Sequence, residues 1–470
     1  MRRRTVVNGI AAIGAGVVLG RKSLAAAQSE VFTPEAFGAR GDGFTNDSAA
    51  FRKMSNAVNR AGGGRIVLRR TVYLVGEQRP GFPQERYAFA PGAILQFTAC
   101  TRDLIIEGNG ATLRCAPGMR YGTFDRLTGR SVELPMPNTT PGLLATPYEY
   151  MVYVELCRGA VTIADLELDG AVDTLRIGGP WGDVGRQIAC VGLYLRDNVG
   201  DEIIRNLYTH HHAQDGLMIA GTAALESGAS KVFSRVRSNA NGRQGCSFIG
   251  GHGYTFSDCT FSRTGRGPLY SPPGAGFDIE AESMTIRRLR FDRCAFIDNA
   301  GCGMVADSGD SAEIVFFGCR FVGTDNWSIW SAKPSMRYER CEIVGSAVQF
   351  FGSPDPRLAT QIFDCVFTDA SARSTGGKVF RNGPIANVSD SKNVLFARCR
   401  FDALEGAQLP WSTGAIYEDC TLRQAGVVQG YPRGRFRGSN FISGNVDIYN
   451  SQVSGKLVIN GKVIPASATS

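Results

Sequence analysis

An all-β chain wound as a single-stranded parallel β-helix of about eleven coils, with a short N-terminal capping helix, is the fold this sequence predicts. Three observations predict it: a cysteine-centred pattern that recurs along the chain, a period-two alternation inside each copy, and 58 glycines set among few helical stretches. The pattern is an aromatic or aliphatic residue, two residues of any kind, a cysteine, one more residue, then an apolar one. It occurs at Phe256, Cys259 and Phe261, at Phe291, Cys294 and Phe296, and at Phe316, Cys319 and Phe321. It recurs at Tyr338, Cys341 and Ile343, at Ile362, Cys365 and Phe367, at Phe396, Cys399 and Phe401, and at Tyr417, Cys420 and Leu422.

Seven of the 13 cysteines share this register, at intervals of 35, 25, 22, 24, 34 and 21 residues. One short strand per copy cannot bury its own apolar face, so copies must stack and share a core. Alternation sends each cysteine and its apolar partner inward together. With neighbouring strands about 4.8 Å apart, the thiols form an interior ladder. A cysteine in such a slot behaves as a small hydrophobe, so mostly free thiols are expected even in an exported chain, where disulfides are common. Leu166, Leu207 and Val236 take the cysteine slot upstream, and Phe436, Ser439 and Phe441 continue the register downstream.

A solenoid grows along one axis, so the 470 residues need only one folded domain, over 28–470. Residues 1–27 read as an export signal: Arg2, Arg3 and Arg4 precede an apolar run from Val6 to Leu19, and Ala25, Ala26 and Ala27 offer small residues for cleavage. The run is too short for a stable membrane anchor. The order Arg3-Arg4-Thr5-Val6-Val7 resembles a twin-arginine signal without its usual phenylalanine. A periplasmic or secreted location follows. Removal of this segment, with five basic residues and no acidic one, takes the formal charge from +8 to +3, too little to argue for nucleic acid. No Cys-x-x-Cys or Cys/His cluster has zinc spacing, so no structural metal is expected.

Ala36-Phe37-Gly38-Ala39-Arg40-Gly41-Asp42-Gly43-Phe44-Thr45-Asn46-Asp47 leads into a short helix to about Arg60, followed by Gly62-Gly63-Gly64-Arg65-Ile66-Val67-Leu68 and Tyr73-Leu74-Val75. This segment resembles the start of the pectate-lyase superfamily of right-handed parallel β-helix proteins, many of which act on polysaccharides. The resemblance implies a right-handed coil with a cap at about 31–62, in which Asp47 or Asn46 caps the helix and its apolar face covers the open end of the first coil. An insertion at 116–147, and a second loop at Pro180-Trp181-Gly182, overhang the coils, while 445–464 closes the far end.

A second strand in each coil begins at glycine: Gly192, Gly216, Gly245, Gly276 and Gly303. Alternation then places Tyr194, Arg196, Met218, Ser247, Asp278, Glu280, Val305 and Asp307 on one outward face, joined by Trp330. Aromatic residues beside acids suit sugar rings. Asp278 and Glu280 project from one side of one strand, about 6.6 Å apart at Cα, with Asp307 one coil on. Their mutual repulsion would leave one protonated as general acid and another ionised as base or nucleophile, the requirement of glycoside hydrolysis. His212 and Asp215, in the turns two coils below Asp278, would act in support, and Arg243 between them would hold a substrate carboxylate or sulfate.

Gly251-His252-Gly253 resembles a short motif of the polygalacturonase-like hydrolases, which makes His252 a candidate for substrate binding. Gln214-Asp215-Gly216 resembles their aspartate segment, although the second aspartate and a downstream Arg-Ile-Lys are absent. A polysaccharide substrate and glycosidic cleavage are the expectation, with no cofactor. A lyase or uronate epimerase using acid-bound Ca²⁺ is the alternative within enzymes, and a noncatalytic carbohydrate-binding scaffold the alternative outside them.

Overall fold

The computed structural model describes residues 30–466 apart from 84, 86, 134–142, 149, 180–187, 222–227 and 389–391. The export segment and the Pro180-Trp181-Gly182 loop lie outside the described residues. Among the described residues thirty-five strands join one sheet, whose pairings are parallel from coil to coil. Lys231–Ser234 pairs with Tyr254–Ser257, and the Thr255–Ser257 part of that strand pairs with Arg290–Asp292. Each strand therefore lies on the one a full coil away, which is the connectivity of a β-helix.

One α-helix, Ser48–Ala61, stands among the described residues. Ala50, Phe51, Met54 and Val58 form its buried stripe, and Phe51 meets Tyr73 edge to face at 5.2 Å. This stripe covers the first coil and removes an open sheet edge. Asp47 occupies the N-cap position, yet its carboxylate accepts from the amides of Arg40 and Gly41 at 2.8 and 3.0 Å and pins the preceding loop. Asn46 Oδ1 instead accepts from the amide of Ser48 at 3.0 Å. Gly62, with φ of 73°, ends the helix in the left-handed region.

The cysteine ladder lies inside. All thirteen cysteines are buried free thiols, and Phe256, Phe291, Phe316 and Tyr338 stack at 4.9, 4.7 and 5.0 Å beside them. Several ladder thiols also donate to the carbonyl of the aromatic residue one coil back: Cys294 to Phe256 at 3.4 Å, Cys319 to Phe291 at 3.4 Å, Cys341 to Phe316 at 3.5 Å, and Cys420 to Phe396 at 3.2 Å. A small apolar group with a weak donor fits that slot.

The residue just before the slot carries the bend. Asp165, Asn206, Arg235, Asp258, Arg293, Gly318, Arg340, Asp364, Arg398 and Asp419 all have φ between 51° and 62°. This left-handed conformation is costly for a side chain. Bonds between stacked turns offset part of the cost: Arg293 grips Asp258 with two bonds of 2.8 Å, and Arg398 grips Asp364 at 2.7 and 2.9 Å.

The expected upstream slots agree with the register, since Ile163, Ile204, Phe233 and Phe256 are successive partners. The last slot differs. Ile442, not Phe441, pairs with Leu422, and buried Asn440 replaces Ser439 in the slot. An extra residue after Gly438 moves Phe441 outward. Asn440 accepts from the amide of Cys420 at 2.9 Å and donates to the carbonyl of Tyr417 at 3.4 Å, doing the work of a thiol. Asn440→Leu should cost about 1–3 kcal/mol through the partners it strands, seen as faster amide exchange across Thr421–Gln424. Unchanged exchange there would refute the role.

Beyond that coil, Lys456–Ile459 pairs parallel with Ser439–Gly444 and antiparallel with Lys462–Ile464, so a hairpin ends the sheet. Two strands of the 116–147 insertion, Arg120–Thr123 and Ala145–Thr146, join Arg176–Gly178 in a small three-stranded sheet. Tyr121 of this sheet is buried in the main core and donates to the carbonyl of Ile188 at 2.9 Å.

Candidate functional site

The outward row has the phase that alternation predicts. Tyr153, Tyr194, Met218, Ser247, Asp278, Val305, Trp330 and Val348 are successive Cα partners. Their neighbours Leu193, Leu217, Cys246, Phe277, Met304 and Ile329 line the core. The row is not the open shelf expected of it. Tyr194 packs against Tyr150 and Tyr153 at 4.7 and 5.2 Å and is 7% exposed. Ser247 and Asp278 are buried, and half-buried Trp330 packs with Val305, Cys302, Ala275 and Trp327. Arg196 is exposed, 3.6 Å from Asp197.

Asp278 and Glu280 lie on the long strand Ala275–Asp292. Burial, then the charge of Glu280 and a hydrogen bond to it, push the Asp278 carboxyl well above the usual carboxylate range, against the opposing pull of Gln244 and Arg243. Asp278 is 2% exposed, whereas Glu280 on the same strand is half-buried and meets the surface. Gln244 Nε2 donates to Asp278 Oδ2 and, at 3.5 Å, to Glu280 Oε1. The remaining oxygens, Asp278 Oδ1 and Gln244 Oε1, are buried with no hydrogen-bond partner among the described residues.

The expectation that Asp278 and Glu280 divide the acid and base roles is corrected by depth: Asp278 is buried, and only Glu280 of the two reaches the surface. Asp307 is exposed on the same outward side. A bulge slips the pairing there, so that Asp278 partners Val305 but Glu280 partners Ser308, leaving Asp307 beside that partner.

Arg243 is not available to a substrate anion. Its Nε and Nη2 bond both oxygens of Asp215 at 2.9 and 2.8 Å, Nη2 also donates to Ser247 Oγ at 2.8 Å, and Ser247 Oγ donates to Asp215 at 3.0 Å. Burial would pull the guanidinium down, but Asp215 pushes it well above its usual value. Asp215 is fully buried in this pair and is corrected from supporting acid to counter-ion. Tyr121 of the insertion lies close enough to feel both charges.

His212 is likewise corrected. It is buried, with Nε2 3.3 Å from the carbonyl of Leu168 and its amide bonded to Asn241. Burial and neighbouring His210 hold it down at about 3, so it is a neutral turn residue rather than a base. His252 pairs in register with Arg287 and feels Arg288, Glu313 and Arg287, which places it apart from the Asp278 pair.

A family described as "Right handed beta helix region" matches residues 188–348. Depolymerase 1, capsule KN3-specific, of Klebsiella phage KN3-1 is 37% identical over 86 residues, spanning 17% of this chain and only 9% of that protein. The A-module of mannuronan C-5 epimerase AlgE6 from Azotobacter vinelandii aligns over 93% of this chain and 100% of its own, at 15% identity and a TM-score of 0.50. The AlgE4 A-module of the same organism aligns over 92% and 97%, at 16% identity and a TM-score of 0.43. This chain is a right-handed parallel β-helix protein. At such identities the likeness is one of fold, and the chemistry must come from the site.

Two features of this β-helix escaped the sequence. Gln244, which links both carboxyls, carries no motif and is identified only by its register, one coil from Ala275. The group Asp169, His210 and His211 brings three metal-competent side chains together at a turn. The histidine run was visible, but not its acidic partners on the neighbouring coil. Among the described residues no helix is long and apolar enough to cross a membrane.

Proposed function

We propose that this β-helix is an exported enzyme that cleaves glycosidic bonds of a polysaccharide at the outward face around Glu280. The observation that carries the reading is the buried Asp278 carboxyl, joined through Gln244 to half-buried Glu280 at the surface of one strand. A buried carboxyl beside a second one is expensive and serves no stacking role, which favours chemistry. In this reading Glu280 passes a proton to the glycosidic oxygen as the bond to the anomeric carbon breaks. Asp307 on the next coil takes a proton from the water that attacks that carbon, and Gln244 holds Glu280 beside Asp278. Trp330 and exposed Arg196 along the same face would contact further sugar units. The curated relative's name, a capsule-specific depolymerase, supports a polymeric sugar substrate.

Purified protein should be incubated with neutral and uronate-containing polysaccharides while reducing ends and ultraviolet absorbance are followed. New reducing ends without absorbance support hydrolysis. Absorbance from unsaturated ends would replace it with β-elimination, and binding without turnover of any polymer would leave a carbohydrate-binding scaffold.

A further inference from the structure

We propose that Asp169, His210 and His211 form a binding site for a divalent transition metal of the zinc class, independent of the Asp278 pair. Asp169 and His210 are Cα partners on adjacent coils. His211 follows with φ of 54°, a left-handed conformation that folds its ring back toward His210. The two Nδ1 atoms stand 2.6 Å apart, His210 Nδ1 is 3.7 Å from Asp169 Oδ1, and one ligand atom from each residue lies within 4.8 Å of the others. Ligands about 2.0–2.2 Å from a tetrahedral ion lie roughly 3.3 Å from one another. Small side-chain rotations that open the first distance and close the second would meet that requirement.

The surroundings orient these atoms as metal ligands are oriented. His210 Nε2 is 3.0 Å from Glu167 Oε1, so the carboxylate draws the ring proton to Nε2 and leaves the Nδ1 lone pair facing the site. Glu167 is itself held by Thr112 Oγ1 at 2.7 Å. Arg114 takes Asp169 Oδ2 at 2.7 Å, which turns Oδ1 toward the histidines. Tyr208 stacks on His210 at 4.2 Å and fixes the ring plane. Two nitrogen donors and one oxygen select zinc-class ions over Ca²⁺, which prefers oxygen alone. Three protein ligands leave one position of a tetrahedron open, on the side of half-buried His211.

The test uses untagged, chelator-treated protein dialysed against Zn²⁺ or Ca²⁺, with bound metal measured per folded chain. One equivalent of Zn²⁺ retained and no Ca²⁺ is expected. His211→Ala should abolish stoichiometric retention, Glu167→Gln should weaken it about 10–100-fold, and His252→Ala should leave it unchanged. Cobalt substitution supplies a second readout: visible bands of a tetrahedral site in the parent protein that vanish in His211→Ala. Failure to retain Zn²⁺, or equal retention and cobalt bands in His211→Ala, overturns the proposal.

Discussion

Glu280→Gln is expected to lower turnover of the cleaved polysaccharide about 10²–10⁴-fold, the usual contribution of a positioned proton donor. The effect should fall on kcat more than on KM, because Glu280 acts on the bond rather than on the sugar's fit. Asp278→Asn should lower activity as well, and it should also change how stability depends on pH. The folded protein raises the proton affinity of Asp278, whereas an unfolded aspartate releases its proton near about 3.9. Above that pH the folded state binds more protons than the unfolded one, so stability falls as pH rises, until Asp278 ionises in the fold. An asparagine has no such slope. Its amide group can also donate toward Glu280 while its carbonyl accepts from Gln244. Asp278→Asn should therefore melt close to the parent protein near pH 4 and above it near pH 8. Equal pH dependence of the two melting temperatures would show that Asp278 carries no raised proton affinity, and the proposed acid would fall with it.

Arg243→Met is expected to destabilise the middle coils by about 3–5 kcal/mol, because it leaves the Asp215 carboxylate buried without its counter-ion. Pairing it with Asp215→Leu should recover most of the loss, since the charge that needs a partner is then gone. Solenoid stability is distributed along the axis, so the readout is amide exchange in Gln244–Phe248 and Asp215–Ala220 as well as a global melt. Should Arg243→Met exchange like the parent, Asp215 would not depend on the guanidinium. Arg243 would then be free to serve substrate, as the sequence had suggested.

The fold was legible because its rule is local and repeated. Phe256, Cys259 and Phe261 announce one coil, and six further copies fix the phase in which Leu217, Cys246 and Phe277 point inward. The same phase sends Ser247 and Asp278 outward. The left-handed residue ahead of each slot was also visible, as Asp258, Arg293 or Asp364 before a cysteine, but its conformation was not read from it. The end of the repeat misled, since one inserted residue after Gly438 exchanged Ser439 and Asn440 without altering the apolar pattern.

Alternation along a strand tells which side of the wall a residue takes, and by itself the order of amino acids determined the winding, the buried thiols and the common outward side of Asp278, Glu280 and Asp307. Depth and partnership were decided only by the tertiary structure. Arg243 finds Asp215 across 28 residues and His210 finds Glu167 across 43, distances set by the length of each coil and the slip of its bulges. Contacts between coils depend on where every intervening turn ends, and no periodicity within one strand records that sum.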